Sequence, residues 1–282
     1  MIRIFSDSTS DLTEELIAKY QITILPLHIC LGDKEYRDRV EIGPDEIYAW
    51  AEENHTTPKT SAVSMEDTSD AFEPVLKAGD EIVAFSISGK MSTTGNVMRL
   101  VAEQLDASDR VTVIDSQNLS TGIGLLVIEA ARMARNGQSR ENIEKRMQEL
   151  IPKVRASFVV DTLTYLHRGG RCSAVAALAG GMLKLHPKIV VEDGVMTPTR
   201  KYRGKMQMVI RDYVKDLQEQ LKNAYPDRVF ITHSGCEEEV VAAVKQELAG
   251  MHYFQEILVT RAGGVISSHC GPGTLGVLFI EK

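Results

Sequence analysis

Residues 81–95 read Glu81-Ile82-Val83-Ala84-Phe85-Ser86-Ile87-Ser88-Gly89-Lys90-Met91-Ser92-Thr93-Thr94-Gly95: a β-rich apolar run, then a hydroxyl-rich segment that opens a helical pattern. Strand, polar turn and helix in that order form the repeating unit of an α/β fold. The same unit recurs at Ile2 to Phe5 before Ser6 to Ser10, and at Arg110 to Ile114 before Asp115 to Thr121. A further strand is expected over Ile22 to Leu31. Between these runs the sequence predicts helices: Ser10 or Asp11 capping one through Tyr20, Pro44 opening one through Glu53, and Ser64 with Asp67 resembling a capping box ahead of Phe72 and Leu76. The expectation is a mainly parallel sheet with helices on its faces.

Two long helices follow, about Ser120 to Arg135 and Ser139 to Leu150, separated by the stop signal Asn136-Gly137. Pro152 closes this unit, so residues 1–153 are expected to form an N-terminal α/β domain and residues 154–282 a C-terminal α+β domain. In the second unit a strand near Ser157 to Val160 precedes the Gly/Ala-rich run Gly169 to Gly181. Lys188 to Glu192 and Val195 to Thr199 flank Asp193-Gly194, a tight-hairpin pair. A long helix from about Lys205 to Asn223 and strands near Val229 to Thr232, Glu256 to Thr260 and Leu275 to Ile280 complete the chain. No repeat or low-complexity linker separates the halves, which favours close packing with a ligand cleft between them.

The whole chain bounds its function classes. Its 282 residues suit two domains, and 43% hydrophobic with 25% charged residues suits a globular protein. No window approaches the roughly 18 apolar residues of a membrane span. The start, MIRIFSDSTSD, lacks the pattern of a signal peptide, so a cytoplasmic location is expected, with membrane contact entering only transiently through a lipid ligand. Cys30, Cys172, Cys236 and Cys270 show no CxxC spacing and suit a reducing compartment. A formal charge of −7 argues against nucleic-acid binding, although Arg168 to Lys205 holds eight basic and two acidic residues. His28 and Cys30 alone share a strand-face spacing, too few ligands for a metal, and no cofactor is expected.

Polar clusters at strand ends are the candidate site, because ligands of open α/β sheets bind beyond the carboxyl ends of the strands. Ser86 to Gly95 is the best candidate for holding an anionic oxygen, although a plain N-cap explains its residues locally. It lacks the spacing of a phosphate loop. Pro58-Lys59-Thr60-Ser61 is a rigidly entered loop with two hydroxyls, and Ser268-His269-Cys270-Gly271-Pro272-Gly273 sets a histidine before a glycine-rich turn. Gly169-Gly170-Arg171 offers close backbone approach beside an arginine suited to carboxylate or phosphate. Arg200-Lys201-Tyr202-Arg203-Gly204-Lys205 is a basic run that a solvated face would also explain.

Taken in order, Asp7-Ser8-Thr9-Ser10-Asp11-Leu12, Pro58-Lys59-Thr60-Ser61, Ser86 to Thr94, Asp115-Ser116, Tyr165-Leu166 with Arg168-Gly169-Gly170-Arg171, and His269-Cys270-Gly271-Pro272-Gly273 resemble the DegV family of bacterial fatty-acid-binding proteins. The resemblance implies a long-chain fatty acid in a tunnel between two domains. Its carboxylate would be held by Thr60, Ser61 and Ser92, with Thr94, near His269. Arg171 would stand at the tunnel mouth, and Arg200, Lys201 and Arg203 there or at a docking surface. Some members of the family present the acid to a separate kinase subunit that makes acyl phosphate for phospholipid synthesis. Where the family has an LSGTY-like motif this chain reads Met91-Ser92-Thr93-Thr94-Gly95, and a common Lys-Pro pair appears as His186-Pro187-Lys188.

Candidate tunnel walls are Ile123, Leu126 and Val127 on one helix and Leu178, Met182 and Leu185 in the Gly/Ala-rich segment. Two other readings fit the same residues. One is an acyl hydrolase built on Ser92, His269 and Asp7 or Asp115, although no GxSxG elbow is present. The other is a regulatory protein for which the lipid is a structural plug.

Overall fold

A computed structural model describes residues 1–172 and 185–282. Four strands, β1 (Ile2–Asp7), β2 (Ile22–Leu25), β6 (Glu81–Ser86) and β7 (Val111–Asp115), form a fully parallel sheet in the order β2-β1-β6-β7. Its central strands are buried nearly throughout, as the continuous apolar run Ile82 to Phe85 requires of a strand covered on both faces. Helices α1 (Glu14–Tyr20), α3 (Met65–Lys77), α4 (Thr94–Gln104), α5 (Thr121–Arg135) and α6 (Arg140–Leu150) surround it. Thr13, rather than Ser10 or Asp11, caps α1 by accepting from Leu16 N at 3.3 Å. Ser64 and Ser139 cap α3 and α6 as their sequences predict.

The expected strand over Ile22 to Leu31 is two strands. Proline lacks the N–H that would continue a ladder, and Pro26 stands where the chain leaves the parallel sheet. It then enters a small antiparallel sheet of order β4-β3-β5, with β3 (His28–Leu31), β4 (Lys34–Arg37) and β5 (Lys59–Ser61). The Pro58-Lys59-Thr60-Ser61 loop is therefore strand β5, held by the pairing of Ile29 with Thr60. Helix α2 (Pro44–Asn54) joins β4 to β5, with Pro44 at its first turn.

The second half is a six-stranded mixed sheet of order β10-β9-β8-β13-β11-β12. Its strands are β8 (Val154–Val159), β9 (Leu185–Glu192), β10 (Val195–Arg203), β11 (Arg228–His233), β12 (Glu256–Arg261) and β13 (Leu275–Ile280). Asp193 and Gly194 both have positive φ, 49° and 77°, as the tight turn between β9 and β10 demands. Helix α7 (Thr164–Gly169) follows β8. The long helix expected from Lys205 is divided at Leu217 into α8 (Met206–Asp216) and α9 (Gln218–Lys222). Three helices lie outside the sequence expectations: α7, α10 (Glu238–Gly250), which makes the parallel crossover from β11 to β12, and α11 (Gly264–Cys270). The second half is thus not purely antiparallel.

The halves meet in one continuous core. Leu12, Ile123 and Leu126 from the first half share it with Phe158, Val191 and Leu278 from the second. Helix α11 reaches further, since Val265 belongs to the core around Phe5, Ile29 and Phe72.

Candidate functional site

The hydroxyl-rich loop after β6 lies where the two sheets approach each other. Ser88 Oγ donates to the carbonyl of Gly194 at 2.7 Å, fixing the loop to the β9–β10 turn. Asp115 accepts from Gly89 N at 3.2 Å and from Gln117 N at 2.9 Å. Asp7 is fully buried and accepts from Ile87 N at 2.7 Å and from Thr9 N at 3.0 Å. Burial pushes its carboxyl up to about 6 against these hydrogen bonds. Such bonds set the path of residues 87–93.

Beside that loop opens a cavity of about 460 Å³. Thr60 and Ser61 enter it from β5, Lys90, Ser92 and Thr93 from the loop, Arg171 from the turn after α7, and His269 from α11. No acidic side chain lines it among the described residues. The remainder of the wall is largely apolar, with Leu27, Ile87, Met91, Leu119, Met196 and Ile266. Cavities of roughly 300–1,000 Å³ are of the size that holds a small organic ligand.

Two of its polar groups are held by side-chain partners. Thr60 Oγ1 lies 2.8 Å from His269 Nε2, and Ser92 Oγ lies 3.0 Å from Thr94 Oγ1. Burial, with the neighbouring Arg171 charge, pushes the His269 imidazole down to about 4, so at neutral pH the ring is uncharged. Among the described residues its buried Nδ1 has no hydrogen-bond partner, and it faces Gly169, where an added Cβ would overlap it. An N–H there would be an unsatisfied buried donor. The proton therefore belongs on Nε2, which donates to Thr60 Oγ1 and leaves the Thr60 hydroxyl proton free to point into the cavity. Ser61 Oγ donates to Glu35 at 3.4 Å in an exposed contact at the rim.

The structure brings five of the sequence-derived site residues to one cavity: Thr60, Ser61, Ser92, Arg171 and His269. Thr94 is fully buried outside its lining and touches it only through Ser92. Arg200, Lys201 and Arg203 lie on β10, the strand that contributes Met196 to the wall. Arg200 is bound to Asp216 at 2.8 Å, while Lys201 and Arg203 are exposed. Ile123, Leu126 and Val127 are core residues and do not line the cavity; Leu119, ahead of α5, does. Leu185 stands at the start of β9 outside the lining, and Leu178 and Met182 lie outside the described residues. Val265 and Ile266 escaped sequence reading along with α11 itself, for which the only signal was the helix-stopping Gly271-Pro272-Gly273. Among the described residues there is no cluster able to hold a metal ion, and no helix is long and apolar enough to cross a membrane.

Comparison with known proteins places this geometry. The model of the DegV family, described as an uncharacterised protein family, matches residues 1–282. A DegV domain-containing protein of Caldanaerobacter subterraneus subsp. tengcongensis is 35% identical, covering 100% of this chain and 99% of its own length. A solved DegV family protein of Thermus thermophilus, described by its fatty acid binding, superposes with a TM-score of 0.91 at 33% identity over 100% of this chain and 99% of its own. A stearic acid-binding protein of Eubacterium ventriosum superposes at 0.87 with 30% identity, and DegV of Bacillus subtilis, a fatty acid binding protein, at 0.85 with 27%. Each covers 100% of this chain and 99% of its own.

Proposed function

The chain belongs to the DegV family, and from that premise we propose that it holds one long-chain fatty acid in the cavity between its two halves. In this reading residues 1–153 and 154–282 act as two domains with the ligand tunnel between them. The observation that carries it is the lining: hydroxyls, a neutral imidazole and two cations together with apolar walls, and no acid among the described residues. A buried carboxylate needs donors to replace its water, and a second carboxylate nearby would repel it. Thr60 and Ser92 supply donors, Ser61 adds one when its hydroxyl turns from Glu35 to the ligand, Thr94 orients Ser92, and His269 orients Thr60.

Magnitudes divide the labour between head and tail. About 14 methylenes at ~0.8 kcal/mol each give on the order of 11 kcal/mol before ordering costs, against about 1 kcal/mol net per hydrogen bond. Affinity then comes from the tail and orientation from the head.

The family resemblance of the motifs extends the reading. The protein acts in the cytoplasm as a carrier and presents the carboxylate to a separate fatty acid kinase, whose acyl phosphate feeds phospholipid synthesis. It makes no acyl phosphate from ATP by itself.

Mass spectrometry of lipid extracted from the purified protein tests the ligand, and exchange of labelled fatty acid tests the site. Thr60→Val and Ser92→Ala should each weaken binding by about 5- to 150-fold, the equivalent of ~1–3 kcal/mol for an unmade buried hydrogen bond. Unchanged exchange in the double variant would rule out this head-group site.

A further inference from the structure

Away from that cavity, residues of α5 and α6 and of the ends of β11 and β13 line a crevice of about 270 Å³. Three guanidinium groups line it: Arg132 from α5, Arg146 from α6 and Arg228 from the first position of β11. Leu125, Leu150 and Ile280 supply an apolar floor, and none of its residues lines the fatty-acid cavity.

Two of the arginines have partners at or near the rim. Arg132 Nη1 lies 3.3 Å from Asp227 and 3.6 Å from Glu129, both in the lining, and Arg146 Nη1 lies 3.1 Å from Glu149. Arg228 differs. Its side chain is 10% exposed, and only Nη2 meets a carboxylate, Glu256 at 3.3 Å, which Lys19 shares at 3.6 Å. Its Nε is buried and has no hydrogen-bond partner among the described residues. A buried charged donor left unmade is costly, and the planar edge of a guanidinium matches a carboxylate or phosphate in two parallel bonds.

We propose that this crevice is a second binding site, for a small organic anion whose phosphate or carboxylate meets Arg228 and Arg146 and whose apolar part rests on Leu125, Leu150 and Ile280. Glu129, Asp227, Glu149 and Glu256 already balance the arginines and Lys19, so the ligand's anionic group would take the place of Glu149 and Glu256 at Arg146 and Arg228. The volume lies just below the roughly 300–1,000 Å³ of ordinary ligand pockets, which suits a compact ligand and excludes a second long acyl chain.

The test uses protein loaded with fatty acid, so that the main cavity is filled. Phenyl phosphate, benzoate and inorganic phosphate are titrated separately by calorimetry, and the arginine Nε–H resonances are followed by NMR. Saturable binding of phenyl phosphate or benzoate with a shift of the Arg228 Nε–H signal is expected, the preferred probe showing whether phosphate or carboxylate is read. Arg228→Gln and Arg146→Gln should each weaken it by about tenfold or more, with the bound fatty acid retained. Should Arg228→Gln not fold, the half-exposed Arg146→Gln decides. No saturation of either organic probe by about 10 mM, binding undiminished in the variants, or inorganic phosphate binding as tightly as phenyl phosphate would each overturn the assignment.

Discussion

His269 can serve a carboxylate site as a neutral ring only if its one buried nitrogen without a partner carries no proton, and Gly169 is what that nitrogen faces. The glycine is required by contact. A Cβ there would overlap Nδ1, whereas at Gly170 it would meet nothing, and that residue is held at a φ of 69°. The two neighbours therefore predict opposite phenotypes. Gly169→Ala should displace the ring, break the Thr60 bond and weaken fatty-acid binding by roughly 5-fold or more, as loss of a ~1 kcal/mol hydrogen bond implies. Gly170→Ala should cost about 1–2 kcal/mol of stability through left-handed strain and leave affinity unchanged. Urea midpoints and a fluorescent fatty-acid titration separate the two, and equal affinities in both variants would remove the positioning role. The double glycine Gly169-Gly170 is legible as a point of close approach, but what approaches is His269, a hundred residues later, which no local pattern reveals.

Helix α11 is the element that carries His269 into the site, and it is clamped at its start by acids from the other half. Asp11 accepts from Gly263 N at 2.7 Å and from Ser120 Oγ at 2.5 Å, and Asp38 accepts from Gly264 N at 2.8 Å and from Ser8 Oγ at 2.7 Å. Burial pushes Asp11 up to about 7, with its hydrogen bonds and Arg39 opposing and Asp38 assisting. The folded state then takes up a proton as pH falls below about 7, while the unfolded chain waits until about 3.8. Asp11's contribution to stability therefore rises as pH falls through that window and is least favourable above it, by on the order of 4 kcal/mol. His269, lowered to about 4, slopes the other way between 6.5 and 4. Comparing variants cancels that term. Asp11→Asn keeps an acceptor for Gly263 without the charge, so relative to the parent it should be several kcal/mol better off at pH 8 than at pH 5 in urea unfolding. The same difference at both pH values would show that Asp11 does not titrate there. Sequence made the strand–turn–helix units of the first half legible because each repeats a local pattern. It hid α11, whose Gly263-Gly264 start follows no propensity and fits because Ile29, Ile47 and Asp38 leave no room for a Cβ at Gly264. Helix α10 was readable from Val240, Val241, Val244 and Leu248, which the structure buries on one face.

Across the whole molecule, charge is divided as the sequence indicates: a net −7, with eight basic and two acidic residues between Arg168 and Lys205. The structure sorts that basic run by what each charge already does. Arg200 is bound to Asp216 at 2.8 Å and lies over the Tyr202 ring at 5.4 Å, so its charge is largely spent within the protein. Lys201 and Arg203 are exposed and, among the described residues, make no ion pair. They share β10 with Met196 of the cavity wall, and five to seven residues at ~3.3 Å each put them roughly 17–23 Å along the strand from it. A kinase covering the cavity mouth would span that distance. If the patch steers an acidic partner surface, Lys201→Glu with Arg203→Glu should slow phosphorylation of the bound acid by about tenfold at 0.01 M salt, where the Debye length is ~30 Å, and much less at 0.15 M, where it is ~8 Å. Arg200→Glu should do less, and fatty-acid affinity should be unaffected in both variants. A double variant phosphorylated at the parent rate throughout a salt titration would leave these two residues as solvated surface, and the partner would have to dock elsewhere around the cavity.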